Sequence, residues 1–469
     1  MRQVFILGLC LAGLVGELPA PAAAAAAETA VADRLDLPAS DDGLPGEGAL
    51  RRYDWFKQLW RTRREQWARK AEQDRGAVVF LGDSITQGWG DDFQGRFAGM
   101  KAANRGISGA TTRGMLVRLA DDVLALDPAA IVILAGTNDI EEGIPPEAVA
   151  RNLAKIIAAI KQHDAADGRR ATGAGSGRRT PIVLCRVFPS AASKKRPAET
   201  IKTLNTLIDA TVRGDEQVTL LDTWTLFADP QGDALPAFFP DLLHLNGDGY
   251  AKWAAAVRPV LATLGFLDTA ADTFAPEPGF ESLFNGRDLT GWEFRPTPPR
   301  KPQPNPPPGA PVWVDVATPE TFAGKTRSSD GRYVALNGRL VVTTPAEGRR
   351  IQQLWTTREF GDDFVLKLEF RGTPNADSGV FIRQPQLQCR DYALAGPWKD
   401  LKAYKPQDWN ELVVEVIGNV AKATCNGEPI PGEMKLPATG PIGLEGDRGQ
   451  MEYRRIRIGP VAKEPGPGG

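Results

Sequence analysis

Short apolar runs at 77–81, 130–135, 181–185 and 218–221 alternate with stretches of helical period at about 110–125, 145–163, 196–212 and 247–264. A weaker run, Met100-Lys101-Ala102-Ala103, falls between the first two. Strand-length runs separated by amphipathic segments predict βαβ units, and so a parallel sheet with helices on both faces. Upstream, 53–72 has helical period, with Trp55, Phe56, Leu59, Trp60 and Trp67 set among basic residues. After a stretch over 268–279 that is Ala/Asp/Thr and then Pro-Glu-Pro, helical periods stop. Short β-type runs replace them, among them Leu340-Val341-Val342-Thr343, Phe364-Val365-Leu366-Lys367-Leu368, Gly379-Val380-Phe381-Ile382, Leu412-Val413-Val414-Glu415-Val416 and Met451-Glu452-Tyr453. Many short strands with turn signals predict an all-β jelly-roll sandwich. The Gly/Arg-rich segment 168–179 reads as a surface loop, and so does the Pro-rich segment 296–311, because proline cannot serve a central strand. The expected division is a signal peptide at 1–27, a linker at 28–50, an α/β domain at 51–267, a linker at 268–277, a jelly roll at 278–460 and a disordered tail at 461–469.

The first 27 residues carry that reading of a leader. Arg2 is followed by an apolar stretch of signal-peptide length and an alanine run with A-x-A options. The expectation is export to the periplasm or beyond, with no stable membrane insertion after cleavage. Cys185, Cys389 and Cys425 would remain, which is no disulfide framework and no zinc spacing. Cys389 and Cys425 share a domain, and whether they pair is left open. Composition adds a negative. With 56 Lys+Arg against 58 Asp+Glu, the net charge of −2 gives no electrostatic case for nucleic acid. The oligomeric state is not legible.

The chain has two histidines, His163 and His244, so any imidazole chemistry must use one of them. The first strand ends in Gly82-Asp83-Ser84-Ile85-Thr86-Gln87-Gly88. Sites in parallel α/β sheets form at the carboxyl ends of strands, which is where Ser84 falls. His244 lies in Asp241-Leu242-Leu243-His244-Leu245, just before the last helix. Asp241, one turn upstream, is placed to orient its imidazole, so Ser84, His244 and Asp241 can serve as nucleophile, base and acid. Backbone N–H groups at Ser84 and Gly106 and the side-chain amide of Asn138 are the candidate oxyanion donors. Asp83 reads as a structural carboxylate hydrogen-bonded to its own loop. His163 reads as a solvated residue near a helix C-terminus. This chemistry needs no metal and no cofactor.

Four blocks carry a resemblance: Gly82-Asp83-Ser84-Ile85, Asn104-Arg105-Gly106-Ile107-Ser108-Gly109, Gly136-Thr137-Asn138-Asp139 and Asp241-Leu242-Leu243-His244-Leu245. Residues 76–266 resemble the SGNH/GDSL hydrolase superfamily, most closely its platelet-activating-factor acetylhydrolase-like branch. The resemblance implies a flavodoxin-like sheet of five parallel strands, ester hydrolysis and the Ser84–His244–Asp241 triad. It does not name the acyl chain or the alcohol.

Farther on stand Leu283-Phe284-Asn285-Gly286-Arg287-Asp288-Leu289-Thr290-Gly291-Trp292, Asp377-Ser378-Gly379-Val380-Phe381-Ile382-Arg383 and Gly440-Pro441-Ile442-Gly443-Leu444-Glu445. They resemble the 3-keto-disaccharide hydrolase domain family, which implies a concanavalin-like jelly roll and saccharide recognition. Candidate saccharide contacts are Trp355, Asp377, Arg383, Gln388, Asp391 and Trp409. This half of the chain holds no histidine, which favours binding over cleavage there. The expected activity is an exported serine esterase that takes acyl groups, acetyl first, from a carbohydrate. The alternatives are a lysophospholipase with an acyl slot lined by Trp89, a carbohydrate-binding scaffold with a vestigial hydrolase site, and an enzyme whose jelly roll also cleaves 3-keto-glycosides.

Overall fold

The computed structural model describes residues 34–168, 179–298, 304 and 310–461. The expected signal peptide, and most of the tail and of both surface loops, lie outside the described residues. The first half holds β1 (Val78–Gly82), β2 (Ala102–Gly106), β3 (Ala130–Leu134), β4 (Ile182–Cys185) and β5 (Val218–Leu221). They form one parallel sheet in the order β2-β1-β3-β4-β5. Alternation along the strands sorts their side chains to two faces. Val79, Leu81, Ile131, Ile133, Ile182 and Leu184 join one core. Val78, Phe80, Val132, Leu134, Val183 and Cys185 join the other. A sheet buried on both faces needs helices on both.

On the first face lie α1 (Asp54–Asp74), α3 (Thr112–Asp122), α5 (Pro146–Ala166) and α6 (Ala198–Thr211), which contribute residues such as Trp60, Met115, Ile156 and Leu204. The second face is covered by α8 (Gly247–Thr263), through Trp253, Val257 and Leu261. Three one-turn helices stand at carboxyl ends of strands: α2 (Ser84–Gly88) after β1, α4 (Thr137–Glu141) after β3 and α7 (Thr223–Phe227) after β5. None was predicted, because one turn is too short to show a period.

The segment expected as a linker is instead a strap along the α/β domain over 41–50. The Arg113 guanidinium of α3 donates to the carbonyls of Asp41, Leu44 and Pro45 at 3.1, 3.3 and 3.2 Å. Asn152 of α5 exchanges two hydrogen bonds with the backbone of Glu47, at 2.8 and 2.9 Å. Polar composition made this stretch look free; two buried side chains satisfying its backbone hold it down.

The second half is the sandwich. One sheet runs β10 (Tyr333–Leu336), β11 (Arg339–Val342), β20 (Met451–Gly459), β13 (Phe364–Gly372), β16 (Asn410–Ile417), β17 (Val420–Cys425), β18 (Glu428–Lys435), with β6 (Glu281–Ser282) against β20. The other runs β15 (Gln386–Gln388), β14 (Gly379–Ile382), β19 (Gly440–Gly446), β12 (Arg350–Phe360), β7 (Trp292–Phe294), β9 (Glu320–Thr321), with β8 (Val312–Trp313) against β12. Leu366, Leu368, Val414 and Tyr453 from the first meet Leu354, Val380, Ile442 and Leu444 from the second in one core. Cys389 and Cys425 are buried there as free thiols.

The two halves dock on the far end of α8. Gln450 donates to the Pro259 carbonyl and to Thr263 Oγ1, both at 3.0 Å. Asn375 Nδ2 reaches Asp222 Oδ2 at 3.0 Å, beside α7. A cavity of about 570 Å³ opens at this seam, lined by Arg186 and Asp222 on one side and Arg349 and Arg448 on the other. No helix among the described residues is long and apolar enough to cross a membrane.

Candidate active site

Glycine lets the chain turn sharply from β1 into α2. A Cβ on Gly106, in the neighbouring strand, would collide with the backbone of Gln87 in that turn. Asp83 caps α2, its Oδ1 accepting from Ile85 N–H at 2.9 Å. Ser84 is thus the first residue of a helix, where backbone N–H groups have no intrahelical partner.

His244 arrives from the loop before α8. Its Nε2 lies 3.0 Å from Ser84 Oγ, and its Nδ1 lies 2.7 Å from Asp241 Oδ2. The other Asp241 oxygen accepts from the N–H groups of Leu243 and His244 at 3.0 and 2.7 Å. Burial opposes ionisation of Asp241, but these N–H donors and the imidazole outweigh it and hold the carboxyl down at about 2. A charged Asp241 keeps the proton on Nδ1 and leaves Nε2 to accept from serine. The loop turns through Leu242 in the left-handed region, at φ 63°, and Ser190 Oγ pins the Leu242 carbonyl at 2.8 Å. The Asp241 and His244 side chains are each 45% exposed, so the site is shallow.

The candidate oxyanion donors need one correction. Gly106 N–H donates to Asn104 Oδ1 at 2.9 Å, inside the strand, and is turned away from this role. Three residues on, Gly109 stands at φ 83°, and its N–H has no partner among the described residues. Asn138 Nδ2 donates one hydrogen to the Ala110 carbonyl at 3.1 Å, which leaves its second hydrogen free. Arg196 fixes which way that amide points. It donates to Asn138 Oδ1 at 3.2 Å, to the Thr137 carbonyl at 3.0 Å and to Glu141 at 2.9 Å. Arg196 is almost fully buried and had no signal in the sequence beyond a charge beside a proline.

Two buried carboxylates flank the site. Asp139 accepts from Thr112 N–H at 2.9 Å and ties α4 to the start of α3; burial pushes its carboxyl up to about 6. Burial also raises Asp83 to about 6 against the pull of the Ile85 N–H, and Asp83 Oδ2 has no hydrogen-bond partner among the described residues. An acid raised on folding binds a proton that the unfolded chain has already lost. Its effect on stability therefore turns unfavourable as pH rises from about 4 to about 6. Asp83→Asn should gain up to ~3 kcal/mol relative to the unsubstituted chain between pH 4 and pH 7. Denaturant unfolding at both pH values checks this, and a stability difference that ignores pH would refute it.

Away from the triad, Asp127, His163 and Asp167 bring one ligand atom each to within 4.8 Å of one another. Asp127 precedes the amino end of β3 and His163 lies in the last turn of α5, so this group sits at the opposite end of the strands from Ser84. Trp89 lines no acyl slot: it is fully buried, stacked on Trp253 at 4.3 Å.

In the jelly roll, three expected contacts are structural. The buried Arg383 guanidinium donates to the carbonyls of Asp362, Gly418 and Pro437 at 2.7, 2.9 and 3.3 Å. Asp391 is buried and accepts from Asn375 N–H, Tyr404 Oη and Gln407 Nε2 at 2.9, 3.1 and 3.0 Å. Trp409 lies beneath Arg371 and Arg454, whose guanidinium carbons are 4.8 and 4.0 Å from its ring. Gln388 borders a separate cavity of about 380 Å³ beside Trp398. Asp377 belongs to a charged cluster, paired with Arg390 at 3.1 Å and Arg448 at 3.2 Å. Trp355 is half-buried, 5.1 Å from Phe381, and Gly443 leaves room for its ring. The residue that sequence reasoning passed over is Glu445 on β19. It accepts from Gln386 Nε2 at 2.6 Å, and burial, then the nearby Asp447, push its carboxyl up to about 7. Its signal was a carboxylate at the end of an otherwise apolar strand.

Two family models match the chain, one in each half. Residues 80–252 match the model of the GDSL-like Lipase/Acylhydrolase family. Residues 279–459 match that of the 3-keto-alpha-glucoside-1,2-lyase-like domain. The platelet-activating factor acetylhydrolase IB subunits alpha2 of Bos taurus and Homo sapiens are each 26% identical over 208 residues, 44% of this chain and 84% of theirs. Among solved structures, an acetylxylan esterase from Geobacillus stearothermophilus is 20% identical, with a TM-score of 0.31, over 41% of this chain and 94% of that one.

Proposed function

From a carboxylic ester hydrolase that joins a GDSL-like acylhydrolase domain to a 3-keto-alpha-glucoside-1,2-lyase-like domain, we propose that this chain removes small acyl groups, acetyl first, from a carbohydrate. One observation carries the reading: a fully hydrogen-bonded Ser84–His244–Asp241 row in a shallow, half-exposed site. Ser84 Oγ attacks the ester carbonyl as His244 Nε2 takes its proton. The oxyanion is met by the N–H groups of Ser84 and Gly109 and by Asn138 Nδ2. The imidazolium then protonates the departing sugar oxygen, which leaves as a free hydroxyl, and a water activated by His244 frees the acid from the acyl-serine. An open site suits a small acyl group on a bulky alcohol. A long acyl chain would need apolar walls, and Trp89, the side chain expected to supply one, is buried in the core.

The jelly roll would keep the glycan close, raising its effective concentration without a new catalytic contact. A second reading rests on Glu445, whose carboxyl at about 7 is poised to exchange a proton near neutral pH. It makes the jelly roll a second active site, on 3-keto-glycosides. Export through residues 1–27 is part of the proposal. The test is acid release by the full-length protein and its Ser84→Ala variant, on an acetylated polysaccharide beside a lysophospholipid. Ser84-dependent acetate from the polysaccharide alone supports the esterase; fatty acid from the lipid alone overturns it. On a 3-keto-glycoside, cleavage that Glu445→Gln removes and Ser84→Ala leaves intact would establish the second reading.

A further inference from the structure

Helix α1 buries Phe56, Trp60 and Trp67 against the sheet and leaves two aromatic rings outside. Tyr53 is 54% and Trp55 51% exposed, and among the described residues before 268 no other large apolar side chain is exposed. The two rings are parallel within 9°, with centroids 6.1 Å apart. Neither ring is loose. Trp55 meets the buried Phe56 edge-on at 5.7 Å, and its Cη2 lies 2.8 Å from where a Cβ on Gly109 would stand. Gly109 takes a left-handed φ, and the lack of a side chain lets the indole lie against it. Arg51, two residues before Tyr53, is almost buried and ion-paired to Glu141 and Glu142. Glu141 is also held by Arg196, the residue that orients Asn138. The ring pair is therefore anchored to both loops that present oxyanion donors, after β2 and after β3.

We propose that Tyr53 and Trp55 form a saccharide subsite of the esterase, stacking on the sugar that carries the scissile acyl group or on its neighbour. This rests on the carbohydrate-ester reading above and adds to it the place where the sugar is held. Three points favour a sugar ring over other occupants. An aromatic face suits the C–H face of a pyranose. Two rings about half exposed offer on the order of 200 Å², far below the roughly 800 Å² per partner of a stable protein interface. An acyl tail would need apolar neighbours, and the surroundings are ionised: Arg51, Asp54 and Glu142. Both aromatic residues lie outside the stretch 80–252 that matches the acylhydrolase family.

The test compares Trp55→Ala, Tyr53→Ala and Trp55→Phe with the unsubstituted full-length protein on an acetylated oligosaccharide and on 4-nitrophenyl acetate. Trp55→Ala should lower kcat/KM about tenfold more on the oligosaccharide than on nitrophenyl acetate, mostly through KM. Tyr53→Ala should lose less, and Trp55→Phe should keep most of the activity. Equal losses on both substrates would mean that the indole merely supports Gly109, and would overturn the subsite. So would an unchanged oligosaccharide KM in a protein whose parent cleaves that substrate well. A parent that cleaves nitrophenyl acetate but no glycan ester would instead fail the carbohydrate reading itself, and the subsite with it.

Discussion

Ser84→Ala should abolish acyl release in a protein that still folds. Loss of the nucleophile costs roughly four to six orders of magnitude in kcat, and His244→Ala should cost nearly as much. The double variant should be no worse than either single one, since the three residues act as a unit. Folding should be almost untouched: the Ser84 hydroxyl is half-buried and its bond runs to a half-exposed imidazole, a setting in which substitutions shift stability by about 0.5 kcal/mol or less. His163→Ala is the control, because that side chain lies in the last turn of α5 and pairs with Asp167 at 3.4 Å, at the opposite end of the strands. Acetate release and a thermal melt on the four proteins decide the matter. Activity surviving in Ser84→Ala, or a large loss in His163→Ala, would remove this triad.

The strands that carry the site were legible because each buries apolar side chains on both faces. The run at 218–221 coincides with β5, and 130–135 differs from β3 by one residue. The exception is β2, whose weak run starts and ends too early. Its sequence is Ala-Ala-Asn-Arg-Gly, and hydropathy assigns Asn104 and Arg105 to solvent. Both are buried, because Asn104 Nδ2 satisfies the Thr86 and Gly90 carbonyls and Arg105 pairs with Asp74. The same polar burial hid the strap over 41–50. Most of β12 (Arg350–Phe360) escaped for a related reason, since polar and charged residues break up its apolar alternation.

Site residues followed a different rule. Ser84, His244 and Asp241, which the fold brings within hydrogen-bond reach, were legible as candidates because the chemistry demands those side chains and the chain has two histidines. Backbone donors carry no such mark. The sequence could place a glycine after β2, but not tell Gly106, whose N–H is engaged by Asn104, from Gly109, whose N–H is not. In the jelly roll, polar residue type alone could not separate the saturated Arg383 and Asp391 from the shifted carboxyl of Glu445.

Asn138→Ala should lower kcat by about 10²–10³ with little change in KM, as expected for a donor that acts on the transition state. The less obvious consequence concerns Arg196. An amide aligned on its own would tolerate the loss of a neighbour, but Asn138 has two ends to satisfy. Its oxygen is held by Arg196 at 3.2 Å and one of its hydrogens by the Ala110 carbonyl at 3.1 Å. Removing the guanidinium frees the side chain to rotate and leaves the oxygen turned toward a developing negative charge. Arg196→Ala should therefore lower kcat about 10–100-fold, again with KM nearly constant. Arg196→Lys should recover little, since one ammonium cannot reach Asn138, Thr137 and Glu141 together. If Arg196 works through Asn138, the double variant should be scarcely slower than Asn138→Ala alone. Additive losses would mean that Arg196 supports the reaction by some other route, such as holding the loop at Lys194, whose carbonyl it also binds at 2.6 Å.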